Sequence, residues 1–210
     1  MEFFELIEKR YSVRRFLSDE VADADIEKII KAAGMAPSGK NYQNWHFVVI
    51  RNKTLINRMG KVIIDRIEGV SRRLPEDKGQ KLRKSLRFVT FFTGAPVVVA
   101  VYAGAYTPEG YVELVESGDD QKNIDRLYEA NPGIQGIGGA IEHMILAAFD
   151  LGYGACWMTS PNYSALELEK IIGFQKDQYR LVALVPIGKP DGERRSPAKR
   201  ELGDIMTVIN

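Results

Sequence analysis

Three stretches of this chain put side chains where they can do chemistry. The first is Lys9-Arg10-Tyr11-Ser12-Val13-Arg14-Arg15, with four cations in seven residues. In an extended or turning backbone alternate residues share a side, so Arg10, Ser12 and Arg14 point the same way. Two guanidinium forks with a hydroxyl between them match the oxygens of a phosphate monoester. The competing reading is a solvated charge run at a helix end, where cations favour the negative end of the dipole. The second stretch is Ala36-Pro37-Ser38-Gly39-Lys40-Asn41-Tyr42-Gln43-Asn44-Trp45, wedged between a helix and a strand. Ser38, Asn41 and Gln43 offer donors and acceptors together, which suits the edge of a heteroaromatic ring better than a phosphate. A plain turn is the alternative, because Pro, Ser, Gly and Asn are turn residues. The third is Arg194-Arg195-Ser196-Pro197-Ala198-Lys199-Arg200. It is either a solvated tail or a segment whose Lys199 or Arg200 folds back onto the anion held by Arg10 and Arg14. Each such contact is worth about 4 kcal/mol at an effective dielectric of about 20, before desolvation is subtracted.

Other constellations point to structure rather than chemistry. The run of glycines from Gly133 to Gly139 has the composition of a dinucleotide loop. It follows no clear strand, however, and no acidic strand end comes about twenty residues later. His143 lies in the middle of a helix and reads as a packed histidine, as does His46 beside Trp45. Cys156 falls in a buried strand, which argues against a thiol nucleophile. One cysteine and two histidines argue against a zinc or iron–sulfur cage, and no metal is expected.

A chain of 210 residues, 45% hydrophobic and 10% aromatic, fits one domain spanning 1–210. Twenty-nine basic against 28 acidic residues give a net charge of +1, too balanced to hold nucleic acid or an anionic membrane by a global field. The N-terminus lacks the order of a secretory signal, and residues 134–151 carry Gln135, Glu142 and His143, against a membrane span. A cytoplasmic protein is expected. Helices are predicted over 2–10, after Asp23 to about Gly34, over most of 54–87 with a break at Pro75, and over 133–151. A capping box at Ser164–Glu167 opens another that ends at Gly173. Strands are predicted over 46–50, 96–103, 155–159 and 181–187, and 104–133 reads as a long loop or lid without periodicity. This mixture is an α+β or α/β layer fold. The 133–151 helix is apolar nearly all round and must be buried nearly all round, inside the domain or against a second subunit.

Taken together the motifs resemble the FMN-dependent nitroreductase superfamily over nearly the whole chain. The opening Arg10-Tyr11-Ser12-Val13-Arg14 resembles its R-x-S-x-R signature, and residues 36–45 resemble its A-P-S-x-x-N-x-Q-P-W loop. Gly152 to Trp157 occupies the place of its glycine turn and strand, and Pro186 to Pro190 with Lys199-Arg200 resembles its phosphate-binding end. Within the superfamily the iodotyrosine deiodinase-like branch looks nearest, through the Ala36–Gly39 loop, Thr159-Ser160-Pro161-Asn162 and Leu202 to Met206. The resemblance implies an α+β sandwich, a mixed and mostly antiparallel sheet flanked by helices, and an intertwined homodimer with FMN at each interface. It implies Arg10, Tyr11, Ser12, Arg14 and Lys199 or Arg200 at the phosphate and ribityl end. Pro37, Ser38, Gly39 and Asn41, from the partner chain, would lie by the isoalloxazine, with Met158, Thr159 and Ser160 near its N5 and O4 and Lys40 at the substrate. NADH or NADPH would reduce the flavin, which would then reduce a nitroaromatic, quinone or similar small acceptor by a ping-pong route. Segments 60–90 and 104–133 would choose that acceptor. The branch's Glu, Tyr and Lys lid for an amino acid has no counterpart over 58–86, where Glu68 and several lysines occur without a tyrosine.

Overall fold

The β-branched run of β2 (Val97–Ala103) is the spine of the sheet, and all of its residues are buried. In this computed structural model, which describes residues 2–192 and 196–209, β2 pairs antiparallel with β1 (Trp45–Ile50) and with β4 (Arg180–Gly188). A short β3 (Gly154–Ala155) joins the far side of β4, so the order is β1-β2-β4-β3. The named strands pair antiparallel, and a parallel bridge joins Ser12 to Ala155.

A strand apolar on both faces needs a layer over each. Its side chains alternate, so β2 divides between two clusters. Val97, Val99 and Val101 meet Ile26, Ile29 and Ala33 of α2 (Asp23–Gly34) and Ile137, Ile141 and Met144 of α8 (Pro132–Asp150). Val98, Ala100 and Tyr102 meet Ile56, Met59 and Ile63 of α3 (Lys53–Ser71) and Leu168 of α9 (Ala165–Ile172). The α+β layered architecture is therefore as the sequence led one to expect.

The helix α8 uses three faces. Ile137, Ile141, Met144 and Ala148 go to the sheet. Gly136, Gly139 and His143 go to α2 and the chain after it, with His143 Nδ1 3.2 Å from the Ala32 carbonyl oxygen. Gly138 and Phe149 take Trp157 and Tyr11, the Tyr11 and Phe149 rings meeting edge to face at 6.3 Å. A Cβ on Gly138 would stand 3.1 Å from Trp157, which is why glycine is tolerated in mid-helix there. The glycine run opens this helix and forms no nucleotide loop. Among the described residues no helix is long and apolar enough to cross a membrane.

Three expectations need correction. Residues 104–133 are not a structureless lid, because α6 (Tyr111–Ser117) and α7 (Gln121–Glu129) lie within them. Ile124, Leu127 and Tyr128, like Tyr111, Leu114 and Val115, do fall at helical spacing, but in short and mostly polar segments that bury only Ile124. The Ser164 capping box does not form. Ser164 ends a 3-10 turn (Ser160–Ser164) with φ −124° and ψ 33°, outside the extended geometry a capping hydroxyl needs, and its Oγ is buried without a hydrogen-bond partner among the described residues. The strand expected over 155–159 is shorter: after β3 the chain leaves the ladder and returns to β4 only at Met158, opposite Leu184. The break at Pro75 is real and separates α3 from α4 (Glu76–Lys84), with α5 (Leu86–Val89) after it.

One buried group has a pH consequence. Tyr102 is 1% exposed, and its hydroxyl has no hydrogen-bond partner among the described residues. Burial, then the Glu169 carboxylate, pushes its pKa up to about 12 from an ordinary 10. The unfolded chain therefore gives up this proton first as pH rises, and stability falls from about pH 10 toward about 12. Tyr102→Phe is expected to flatten that alkaline loss. At neutral pH it should leave stability unchanged or raise it by up to about 1–3 kcal/mol, the cost of an orphaned hydroxyl. Urea denaturation at neutral and alkaline pH measures both.

Candidate functional site

The cationic segment leaves α1 (Phe3–Lys9) in extended form and is fastened to the sheet edge. The Val13 N–H donates to the Ala155 carbonyl at 3.0 Å, and the buried Val13 side chain lies against Gly154. With Val13 turned inward, its neighbours Ser12 and Arg14 turn the other way. Cys156 reports where they end. Its burial pushes the thiol pKa up, while the Arg14 charge, a hydrogen bond from Ser12 and the Arg10 charge pull it down. Ser12, bridged to Ala155, and the charges of Arg14 and Arg10 are therefore all felt at one buried sulfur. Arg14 Nη1 also donates to the Ser12 carbonyl at 3.3 Å, and Arg10 Nε lies 3.9 Å from Glu142 Oε1. A thiol held neutral in this way is no nucleophile.

The same segment is laced to the chain that follows β4. The Leu17 N–H donates to the Lys189 carbonyl at 2.9 Å, the Asp191 N–H to the Arg15 carbonyl at 3.0 Å, and Arg15 pairs with Asp191 at 3.3 Å. Front and rear of the chain thus run side by side as far as Asp191. Lys199 and Arg200 lie further on and are exposed. Arg194 and Arg195 lie outside the described residues.

The second stretch forms a strained turn over the opening of α8. Lys40, Asn41 and Gln43 have φ of 53°, 54° and 49°, the left-handed region that costs a non-glycine residue roughly 1–3 kcal/mol. The surroundings hold them there. The Gln43 N–H donates to Ser38 Oγ at 3.0 Å and Gln43 Nε2 to Asn41 Oδ1 at 3.0 Å. Lys40 pairs with Glu109, and the Tyr42 and Tyr106 rings meet edge to face at 5.7 Å. Buried Asn44 donates from Nδ2 to the Gly104 carbonyl at 3.0 Å and accepts the Gly104 N–H at 2.7 Å, fixing the loop to the end of β2. Pro37 and Ser38 rest on Gly136. Ser38 and Asn41 each accept within the loop, which leaves the Ser38 hydroxyl proton and the Asn41 amide protons to donate outward.

Of the third group, Met158 exchanges backbone hydrogen bonds with Leu184 at 3.0 and 2.9 Å, and its side chain is buried in the α3–α9 layer. Thr159 and Ser160 follow it onto the surface. Trp157 lies over Gly138, and Arg180, at the start of β4, lines a cavity with Asn44 and Gly133. Sequence reading passed over both, since a polar strand start and a lone tryptophan have no distinguishing spacing.

The sequence matches the nitroreductase family over residues 7–189. It is 26% identical to iodotyrosine deiodinase 1 of Mus musculus over 99% of this chain and 70% of that protein. A BluB-like flavoprotein from Clostridium difficile 630 shares 43% identity, with a TM-score of 0.94 over 100% of both chains. A nitroreductase with bound FMN from Desulfitobacterium hafniense DCB-2 superposes with a TM-score of 0.72 at 23% identity, over 99% of this chain and 97% of that one, and shows the common fold.

Proposed function

The chain belongs to the nitroreductase family, and on that footing we propose that it is an FMN-dependent oxidoreductase acting on small organic acceptors with NADH or NADPH. The observation that carries this reading is the fastening of the Arg10–Arg14 segment to the sheet edge through Val13 and Ala155, which turns Ser12 and Arg14 to the side away from buried Val13. Two guanidinium groups and a hydroxyl on one side of a fastened segment are a fitting donor set for a phosphate monoester. Lys199 or Arg200 adds a further cation at that end. Pro37, Ser38, Gly39 and Asn41 supply a rigid edge with outward donors for a heteroaromatic ring, and Thr159 and Ser160 supply hydroxyls on the other side of it. When bound, FMN supplies the two-electron chemistry, taking a hydride from the nicotinamide and passing it to an acceptor such as a nitroaromatic or quinone. For a nitroaromatic, one hydride and one proton give the nitroso compound and water. The protein's part is to bind, orient and donate hydrogen bonds, so no catalytic His, Cys or carboxylate is needed.

A homodimer completes this site. Within one chain, Arg10 lies by Glu142 and Ser38 by Gly136, about 9 Å apart along α8 and on different faces of it. Between those faces runs an outer strip with Gln135, Glu142 and half-buried Leu146. Two copies packed through that strip, with their helices antiparallel, would set one chain's cations beside the other chain's ring loop. Exposed Phe3, Phe4 and Ile7 on α1 and exposed Leu202, Ile205, Met206 and Val208 in the tail give the second copy apolar surface to cover. A cytoplasmic location accords with this chemistry.

The purified protein is expected to be yellow, to run as a dimer in light scattering, and to bleach anaerobically with NADH or NADPH. A nitroaromatic should restore the colour. A flavin that neither nucleotide bleaches would make it a binder and not an enzyme. A dehalogenase acting on an amino acid is less well supported, because Glu68 is engaged by Arg83 at 3.2 Å and 58–86 has no tyrosine.

A further inference from the structure

A cavity of about 230 Å³ lies between the chain after β2, the end of α7 and the opening of α8. Tyr106 and Tyr128 line it together with Asn44, Gly133 and Arg180. Both tyrosines are backed by another ring, Tyr106 by Tyr42 at 5.7 Å and Tyr128 by Tyr111 at 5.5 Å. No acidic residue lines the cavity, and Arg180 makes no ion pair among the described residues. Glu109 already neutralises the nearby Lys40, so Arg180 is the cation left to meet a ligand. The cavity adjoins the strained loop directly, since Asn44 belongs to that loop and Tyr106 packs on its Gly39 and Tyr42.

We propose that this cavity is the acceptor pocket and that it selects a single-ring aromatic carboxylate. The proposal rests on the oxidoreductase reading and names the substrate class within it. Two lining tyrosines favour a flat ring. The volume falls below the roughly 300–1,000 Å³ of sites for larger organic ligands, which limits the occupant to one ring. One unpaired guanidinium matches one planar carboxylate through two parallel N–H···O bonds. A neutral nitroaromatic meets the same rings but leaves the fork unused. Asn44 adds an amide whose position is already fixed by Gly104.

The test compares 4-nitrobenzoate with 4-nitrobenzamide, which share a ring and a nitro group and differ in charge. Binding of each to the oxidised, flavin-loaded full-length protein is measured by calorimetry, and KM for each with NADH as reductant. The wild type is expected to favour the acid by roughly tenfold or more, the worth of one charge-assisted hydrogen bond. Arg180→Gln should erase that preference by weakening the acid far more than the amide, while Arg180→Lys should keep part of it. Arg180 is exposed, so these variants should fold, and their flavin content is read from the same samples. Equal binding of acid and amide to the wild type, or a preference that survives Arg180→Gln, overturns the pocket assignment. Protein without flavin, or flavin that NADH does not bleach, overturns the oxidoreductase reading instead, and calorimetry with the acid separates the two failures.

Discussion

Arg14→Ala is expected to lower FMN affinity by roughly 2–3 kcal/mol, the loss of one charge-assisted hydrogen bond at a phosphate, or on the order of 30–150-fold in Kd. Arg14 is suited to this test because the fold depends on it so little. Its guanidinium has one long hydrogen bond, 3.3 Å to the Ser12 carbonyl, on an exposed side chain. Removing it should leave circular dichroism and the melting temperature close to those of the wild type, so flavin loss would report binding and not unfolding. Arg14→Lys should recover part of the affinity, since an ammonium restores the charge without the planar fork. Fluorescence titration of stripped protein with FMN gives the affinities. Stoichiometric flavin kept by Arg14→Ala through dialysis at sub-micromolar concentration would remove Arg14 from the phosphate site.

A second large effect is expected one layer below, where the cationic segment is fastened. A Cβ on Gly154 would lie 2.7 Å from Val13 Cβ and 2.9 Å from its Cγ1, and nearer still to Cγ2. These atoms cannot move aside while the Val13 N–H keeps its 3.0 Å bond to Ala155, so Gly154→Ala should lift the segment from the sheet edge. Overpacking of this kind costs about 1–3 kcal/mol, which lowers the melting temperature by roughly 2–10 °C for a chain of this size. Lifting the segment also displaces Ser12 and Arg14, so FMN affinity should fall by roughly tenfold or more although no ligating side chain has changed. Adding Val13→Ala to Gly154→Ala removes the two obstructing methyl groups but keeps the Cβ at 2.7 Å, so it should restore only part of both properties. If Gly154→Ala melts earlier yet binds FMN as tightly as the wild type, the docking of Val13 does not position the phosphate donors.

Lys40, Asn41 and Gln43 show how position can depend on distant residues. Their left-handed backbone is costly on its own and persists because Glu109, Tyr106 and Gly104 hold the loop from 60 or more residues away. Motion of the chain that carries α6 would therefore be felt at the ring loop, and that chain also lines the proposed acceptor pocket.

The amino-acid sequence alone determined the main elements and the side chains that can do chemistry. Alternation in a buried strand, the breaks at Pro75 and Gly173, the all-round apolar character of α8 and the shared side of Arg10, Ser12 and Arg14 are local properties, legible from residue spacing. Tertiary structure decided what those residues meet. It set Ser12 beside Cys156, split α8 among three partners, turned Met158 into the core and denied Ser164 its cap. It also supplied α6 and α7, whose apolar residues sit in short, mostly exposed segments and meet across Tyr111 and Tyr128. The division follows from the range of the forces. Backbone sterics and hydrophobic periodicity act within a few residues, whereas the pairing of a hydroxyl, an amide or a guanidinium depends on whichever segment packing brings alongside.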